Sequence, residues 1–322
     1  MIARSTLLRS IAAGAATLAI PTIVRAQALK TLTIGYVPST LFAPLFVAAE
    51  RGYLHEAGFA PNILPIVAGQ DSMALVAQGQ LDVAAAGLSG AFFNAVNRRL
   101  DVRFVAATGY QPRTGHPTAL MIRQDYWDAG QHDARALRGK KIGWIGGAGS
   151  TSEYYVARIL RRYGMTVNDI EGVNIANPDQ QVALERKAID AVFASSPFTD
   201  LFAERKLAQI IAAPSAGIAA TGFFFGPTLL DHPENARAVL GALRKGAADI
   251  VGSGYDAPEN LEAYAKYTKQ SIALLKKADR YDFKADLRID QATLQDMQSV
   301  FVQQGLLTYK TPLNEVRLVA RF

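Results

Sequence analysis

The chain has 322 residues, of which 50% are hydrophobic and 19% are charged. This composition is typical of a globular protein, and the length favours two domains or lobes. Cysteine is absent, which excludes disulfides and thiolate metal sites. The formal net charge is +6, but the basic residues are scattered or paired. They form no dense stripe interleaved with aromatic residues, so nucleic acid binding is not expected.

The N-terminus has the pattern of a secretory signal peptide. Two arginines precede an apolar, alanine-rich run over residues 11–20, and Val24 and Ala26 occupy the −3 and −1 positions of a cut before Gln27. The run is shorter than the roughly 20 residues that span a membrane, and there is no twin-arginine signal. We therefore predict that residues 1–26 are removed after Sec-type export to the periplasm.

After the leader, the first part of the chain alternates predicted strands with short predicted helices. Strands are predicted at 32–37, 62–67, 82–86 and 102–107, and helices at 44–54, 72–78 and 90–98. Asp71 is predicted to cap the second helix and Gly79 to end it. Strands that alternate with helices favour an α/β fold with a largely parallel sheet.

A second unit begins near Thr118 and repeats the same order of elements. Strands are predicted at 119–122, up to 145 and at 188–193, with helices at 154–163 and 179–187. Residues 223–225 then return the chain to the first unit, and helices follow at 233–251, 259–270 and 291–304. This order predicts two α/β lobes. Their boundaries are residues 27–117 plus 222–322 for the first lobe and 118–221 for the second.

Small polar residues collect where the predicted strands end. Ligands of open α/β sheets bind beyond the carboxyl ends of the strands, and helices that start there offer unpaired N–H groups and a favourable dipole for anions. Helix capping explains any one of these residues alone, but their recurrence at matching places predicts a binding cleft. The candidates are Ser39, Thr40, Phe42, Gly69, Gln70, Leu88, Ser89, Tyr110, Gly147, Ser150, Thr151, Ser152 and Ser196, with Ser195 beside the last.

Motifs of catalysis and cofactor binding are incomplete. The glycine-rich run at 146–151 lacks the lysine of a P-loop and the spacing of a dinucleotide fingerprint. Residues 87–91 are similar to a nucleophile elbow, but no His-Gly-Gly oxyanion loop precedes them. The four histidines have no i, i+4 partner, which argues against zinc. Arg113 is either a carboxylate or sulfonate donor or a solvated loop arginine. We expect no catalytic residue, metal or cofactor.

Several short sequence motifs occur in a characteristic order. They are Leu32-Thr-Ile-Gly-Tyr-Val37, Ala68-Gly-Gln-Asp71, Gln78-Gly-Gln-Leu-Asp-Val83 and Ala86-Gly-Leu-Ser89. With them the chain resembles the periplasmic substrate-binding proteins of ABC importers, in the nitrate, sulfonate and taurine group related to pyrimidine-precursor proteins. The resemblance implies the two-lobe periplasmic-binding-protein fold of type II. Each lobe would be a mostly parallel sheet flanked by helices, with the ligand cleft between the lobes.

The resemblance also implies a function. The chain would capture a small anionic or zwitterionic ligand (a sulfonate, nitrate, taurine or an aromatic acid), close by hinge motion and deliver it to a membrane permease as a monomer. The turns at 39–42, 69–70, 88–89 and 147–152 match those that touch ligand in the family. Two alternatives stay open: a pyrimidine-precursor binding protein or enzyme, and a periplasmic sensor partner. The pyrimidine-forming relatives carry a cysteine-rich motif, which this chain lacks.

Overall fold

The protein is described by a computed structural model covering residues 29–322. The signal peptide predicted for residues 1–26, and the cut before Gln27, lie outside this range. The described strands are β1 Lys30–Tyr36, β2 Phe59–Pro65, β3 Val83–Gly87, β4 Arg103–Thr108, β5 Thr118–Arg123, β6 Lys141–Trp144, β7 Glu171–Asn174, β8 Ala191–Ser195, β9 Ala208–Ala212 and β10 Thr221–Phe225.

The helices of the described range connect these strands or follow the last of them. They are α1 Ala43–Glu50, α2 Tyr53–Glu56, α3 Gly69–Ala77, α4 Gly90–Asn97, α5 Gln124–Asp128, α6 Thr151–Arg161, α7 Asn177–Glu185, α8 Phe198–Glu204, α9 Pro227–Leu230, α10 Pro233–Ala248, α11 Pro258–Thr268, α12 Ile272–Lys277, α13 Gln291–Gln303 and α14 Glu315–Leu318. Short 3-10 turns occupy Thr40–Phe42, Ala134–Leu137, Val167–Asp169 and Gly252–Asp256. Within residues 29–322, no helix combines the length and the apolar character needed to cross a membrane.

The strands form two five-stranded sheets with the same plan. The first has the order β2-β1-β3-β10-β4 and defines lobe 1; the second has the order β7-β6-β8-β5-β9 and defines lobe 2. In each sheet one strand, β10 or β5, runs antiparallel to both neighbours. Because the other four strands of each sheet point the same way, the prediction of mostly parallel, two-lobed α/β architecture is confirmed.

The reversed strand of each sheet is the first strand after the chain crosses between the lobes. The chain crosses from β4 to β5 and returns from β9 to β10. The two crossing segments bind each other, since the Gln111 N–H donates to the Ile218 carbonyl at 2.9 Å and the Gly217 N–H to the Gln111 carbonyl at 2.8 Å. A third segment joins them where Tyr110 pairs with Asp282 as an isolated antiparallel bridge. These paired crossings are the geometry expected of a hinge.

Helix α13 packs against both lobes. The ring of Phe301 lies 6.3 Å from that of Phe93 in α4 and 6.4 Å from that of Tyr154 in α6, edge-on in both cases. Asp296, also on α13, accepts a hydrogen bond of 2.6 Å from the Tyr154 hydroxyl. All three rings are at most 1% exposed, so apolar burial holds this helix between the lobes.

Two predicted helices differ from those observed. The helix predicted at 44–54 was expected to end at Gly52, and α1 does end just before it, because Gly52 takes the left-handed conformation (φ +76°). The residues after Gly52 form the separate short helix α2. The prediction that Asp71 caps the next helix is wrong: α3 begins earlier, at Gly69, and Asp71 lies in its first turn. The earlier start brings Gly69 against β3, where an added Cβ would stand 2.7 Å from the Ala86 Cβ.

Candidate functional site

A cavity of about 80 Å³ lies between the two lobes. It is small beside the roughly 300–1,000 Å³ of pockets that hold drug-sized ligands. Hydroxyls, side-chain amides, glycines and apolar side chains line it: Val37, Ser39, Leu41, Phe42, Ala68, Gly69, Gln70, Gly87, Ser89, Gln111, Thr118, Ile145, Gly146, Ser150, Thr151, Ser152, Tyr155, Asn177, Phe193, Ala194, Ser195 and Thr221. This lining contains no aspartate, glutamate, lysine, arginine or histidine.

Strand ends from both sheets supply the polar lining. Ser39 follows β1 and Ser195 ends β8. Because β5 and β10 run opposite to their neighbours, their first residues reach the same edge. Thr118 of β5 pairs with Ser195, and Thr221 of β10 pairs with Gly87. Each of these two strands therefore contributes its first residue, a threonine, to the cavity. A strand parallel to its neighbours would begin at the opposite edge of the sheet, away from the cavity.

The lobes are in direct contact around the cavity. The Ser196 carbonyl of lobe 2 accepts hydrogen bonds from the Ser39 hydroxyl at 3.1 Å and the Thr40 hydroxyl at 3.2 Å. On another side, the Thr151 hydroxyl donates to the Leu88 carbonyl at 2.5 Å. These bonds cross from one sheet's strand ends to the other's, so the structure represents a closed cleft.

Glycine permits the closest of these approaches. A Cβ added at Gly87 would stand 2.1 Å from the Thr151 hydroxyl oxygen, far inside van der Waals contact. Next to it, the Gly90 N–H donates to the Gly149 carbonyl at 2.8 Å. The two backbones meet here because neither side presents a side chain at the contact.

Two of the helices that start at the cavity are capped by their own side chains, and two are not. Ser89 caps α4 and Ser150 caps α6, each accepting a backbone N–H three residues on. In contrast, α3 and α7 begin after Ala68 and Ala176, which provide no side-chain cap. The first N–H groups of a helix have no intrahelical acceptor. At α3 the first N–H groups are thus available to acceptor atoms in the cavity. At α7 only the Asn177 N–H is available among its first four residues, because Pro178 has no N–H and the Asp179 and Gln180 N–H groups donate to the Ala176 carbonyl.

Burial shifts the pKa of two ionisable groups at or beside the cavity, Tyr155 and Glu153. Burial raises the pKa of the Tyr155 hydroxyl to about 12, so this lining group is neutral at physiological pH. Its oxygen accepts the Ala220 N–H at 3.3 Å. Burial also raises the pKa of Glu153, against the opposing effect of the Gly149 N–H that it accepts. Glu153 supports the turn before α6 and does not line the cavity.

Most of the residues predicted as ligand contacts meet in this cavity. They are Ser39, Phe42, Gly69, Gln70, Ser89, Ser150, Thr151 and Ser152. They come from turns between residues 39 and 152 of the sequence, and only the two-sheet topology brings them together. Contact between these side chains and a ligand stays a prediction.

The remaining predicted residues lie beside the cavity and do not line it. They are Thr40, Leu88, Tyr110, Gly147 and Ser196. The Leu88 carbonyl accepts the Thr151 hydroxyl. The Tyr110 hydroxyl donates to the Arg288 carbonyl beside the paired crossing segments, and the Gly147 carbonyl accepts the Trp144 indole N–H at 3.1 Å. Arg113 is exposed and does not line the cavity.

Four polar lining residues were not among the sequence candidates: Gln111, Thr118, Asn177 and Thr221. Thr118 and Thr221 begin strands, whereas the sequence candidates all follow predicted strand ends. The reversed direction of β5 and β10 therefore made these two residues unpredictable from the sequence. Gln111 follows a predicted strand and donates to the Thr118 hydroxyl at 3.1 Å. Asn177 is the first residue of α7, and a polar residue at a helix start was the available signal.

Comparison with known families agrees with this architecture. A family model described as "NMT1/THI5 like" matches residues 39–256, more than half of the chain. The chain belongs to the NMT1/THI5-like family. Its relatives among curated proteins include the 4-amino-5-hydroxymethyl-2-methylpyrimidine phosphate synthases THI12 and THI5 of Saccharomyces cerevisiae, each 27% identical over 165 residues. The matched region covers 50% of this chain and 44% of each yeast protein, so the chain spans under half the length of these relatives.

Solved structures similar to this NMT1/THI5-like chain include two periplasmic binding proteins. The alkanesulfonate-binding protein SsuA of Xanthomonas axonopodis pv. citri, bound to MOPS, superimposes with a TM-score of 0.73 at 17% identity, covering 91% of this chain and 98% of that one. The nitrate-binding protein NrtA of Synechocystis PCC 6803 gives 0.73 at 12% identity, with 90% and 86% covered. These matches confirm the resemblance and the periplasmic-binding-protein fold.

Proposed function

We propose that the protein is the extracytoplasmic solute-binding component of an ABC-type importer. It captures a small molecule between its lobes, closes by hinge motion and delivers the ligand to a membrane permease. The observation that carries this proposal is the cavity enclosed between two sheets, with hydrogen bonds that tie the lobes together around it. Contacts made only in the closed state allow a ligand to shift the equilibrium toward closure.

The composition of the cavity supports binding rather than chemistry. Its lining lacks a histidine or carboxylate that could act as a general base toward the nearby serines. The similar solved structures are binding proteins. The signal-peptide pattern of residues 1–26 supports a periplasmic location. Together these features favour a carrier that is not an enzyme.

The cargo implied by the family is an anionic or zwitterionic molecule such as a sulfonate, nitrate, taurine or an aromatic acid. The curated relatives are pyrimidine phosphate synthases by name, which favours a pyrimidine-precursor ligand as the second candidate. A sensor partner with the same two lobes is the third. The genes that neighbour this one separate transport from sensing, because an importer requires a permease and an ATPase.

The test is a thermal-shift screen of the exported protein against sulfonates, nitrate, bicarbonate, aromatic acids, amines and pyrimidines. Ligand at about 100 times its dissociation constant adds ~2.7 kcal/mol to the free energy of unfolding. We expect one chemical class to raise the melting temperature saturably, with a smaller radius of gyration in X-ray scattering. Turnover of any bound compound, followed by mass spectrometry, would contradict the assignment as a binding protein.

A further inference from the structure

The side chain of Asn177 is a polar group without a partner in the cleft. It lines the cavity and is only 4% exposed, and its Oδ1 has no hydrogen-bond partner among the described residues. An unpaired buried acceptor costs about 1–3 kcal/mol, and such groups are rare in folded proteins. Asn177 stands at the uncapped start of α7, where its neighbour Ala176 supplies no cap. Its place in the cavity points to a ligand atom as its partner.

The chemistry of Oδ1 restricts that partner. A carbonyl oxygen accepts hydrogen bonds and cannot donate them, so the ligand must present an N–H or O–H. Nitrate, a carboxylate and a sulfonate group at neutral pH carry only acceptors and leave Oδ1 unpaired. The side-chain amide also holds two donors beside its acceptor. The ligand that best matches the Asn177 side-chain amide has a hydrogen-bond donor and an acceptor next to each other on one edge.

The charge of the cavity points the same way. None of its lining residues is an acid, a lysine, an arginine or a histidine, and a buried charge without a counter-charge is strongly disfavoured. The available partners are hydroxyls, side-chain amides, the first N–H groups of α3 and the Asn177 N–H at the start of α7. These groups suit a neutral carbonyl, whose partial negative charge the helix N-termini stabilise.

Aromatic side chains give part of the cavity flat walls. Tyr155 and Phe193 of lobe 2 are stacked, with ring centroids 5.9 Å apart and planes at 28°. Phe42 lines the cavity from lobe 1 and is 1% exposed. Aromatic faces on both lobes favour a planar molecule between them.

We propose that the cleft takes a small, planar, uncharged molecule with an amide edge, in which an N–H stands beside a carbonyl. The ligand N–H donates to Asn177 Oδ1, and its carbonyl accepts from the hydroxyls and helix N-terminal N–H groups of the cavity. This proposal rests on the proposed function and specifies the cargo of the same site. It departs from the anionic cargo that the family resemblance implies.

Matched probes separate the amide from the anions. Calorimetric titration of the purified exported protein at pH 7 would use benzamide, benzoate and benzenesulfonate, with acetamide, acetate and methanesulfonate as the smaller set. We expect the amide of a set to bind at least about tenfold more tightly than its anions, because only the amide pairs with Oδ1 and tenfold corresponds to about 1.4 kcal/mol.

The Asn177→Leu variant keeps the approximate size of the side chain and removes both polar ends. It should weaken amide binding roughly 10- to 100-fold and weaken anion binding by a smaller factor, because an anion can accept only from the side-chain NH₂ and makes no bond to Oδ1. Without ligand its melting temperature should equal or exceed that of the unmodified protein, because no internal hydrogen bond of Oδ1 is lost. Asn174→Leu is the matched stability control: Asn174 accepts the Gly146 N–H at 2.8 Å, so this variant should melt at a lower temperature.

The outcomes distinguish the two proposals. Preference for a sulfonate or a carboxylate overturns the amide inference and leaves the solute-binding function intact. A melting temperature that falls in Asn177→Leu as it does in Asn174→Leu also overturns it, because Asn177 would then be structural. Absence of binding to all six probes overturns the amide inference, and the broader ligand screen then decides the function independently.

Discussion

The Thr151 hydroxyl of lobe 2 donates a hydrogen bond of 2.5 Å to the Leu88 carbonyl of lobe 1. Thr151 is the first residue of α6, and Leu88 follows directly after β3. This bond joins the helix start of one lobe to the strand end of the other at the wall of the cavity. It forms only when the lobes are together, and it is therefore a direct structural marker of closure.

Replacement of Thr151 by valine should weaken ligand binding. Valine keeps the shape of threonine but removes the donor, which leaves the Leu88 carbonyl unpaired in the closed state at a cost of about 1–3 kcal/mol. We expect weaker affinity and, at equal ligand concentration, a larger radius of gyration in X-ray scattering. Thr151→Ser, which retains the hydroxyl, is the control. Equal affinities for the valine and serine variants would show that the bond does not stabilise closure.

Bulky replacements at the same contact should have a larger effect. Thr151→Trp and Ser89→Trp fill space at the cavity, so we expect loss of detectable ligand binding in titration. The circular dichroism spectra of both variants should still be those of a folded protein. Ser89 also caps α4, and loss of a cap costs about 1 kcal/mol. Its variant should therefore melt earlier than the Thr151 variant. Undiminished binding in both would contradict the position of the site.

Gly87→Ala should obstruct closure without unfolding lobe 1. The new Cβ would stand 2.1 Å from the Thr151 hydroxyl oxygen, and overpacking of this kind costs about 1–3 kcal/mol. Because the clash exists only between closed lobes, affinity should fall while the unliganded melting temperature changes little. Gly241→Ala is the control: it lies within α10 with no atom within 4 Å of its added Cβ. It should add roughly 0.5–1 kcal/mol of stability and bind normally.

Asp200 should make stability decrease as pH rises. Burial raises the pKa of this carboxyl above its usual 3.8, so the folded protein holds the proton more tightly than the unfolded chain. Its stabilising effect is present below the unfolded pKa and is lost as pH rises through the folded pKa. Asp200→Asn should therefore be more stable than the unmodified protein at pH 7, with the difference vanishing below about pH 4.

Asp125 should show the opposite dependence of stability on pH. The hydrogen bond from Arg123 lowers the pKa of Asp125, so its contribution is present above the unfolded pKa and is lost in acid. Asp125→Asn should be less stable at pH 7 and equal to the unmodified protein in acid. Urea unfolding from pH 3 to 8 measures both variants. Parallel pH profiles for the two would contradict the assignment of the shifts.

The mature protein should begin at Gln27. Small residues at positions 24 and 26 satisfy the −3 and −1 preferences of signal peptidase. Mass spectrometry of the periplasmic fraction measures the N-terminus directly. Ala26→Tyr should cause the precursor to accumulate, whereas Gln27→Glu should not. Recovery of uncleaved chain from the cytoplasm would contradict export.

The local pattern of the sequence was enough to predict most elements and the fold class. Hydrophobic periodicity and helix-boundary residues are local signals, and they located strands such as β3 and helices such as α10 and α13 to within a few residues. The order of strand and helix indicated two α/β lobes. The same local signals also marked Gly52 as a helix end, but they failed at Asp71, where the start of α3 depended on contact with the sheet rather than on the neighbouring residues.

Only the tertiary structure decided the composition of the cleft. The sequence identified Ser39, Ser89 and Thr151 through their positions after strands, a rule that follows the chain. It missed Thr118 and Thr221, because their strands reverse direction within each sheet and bring strand starts to the binding edge. The contact that requires glycine at position 87 exists only between lobes that meet. The cavity that Asn177 lines is likewise enclosed by residues of both lobes. Residues far apart in the chain form both features, which no local pattern encodes.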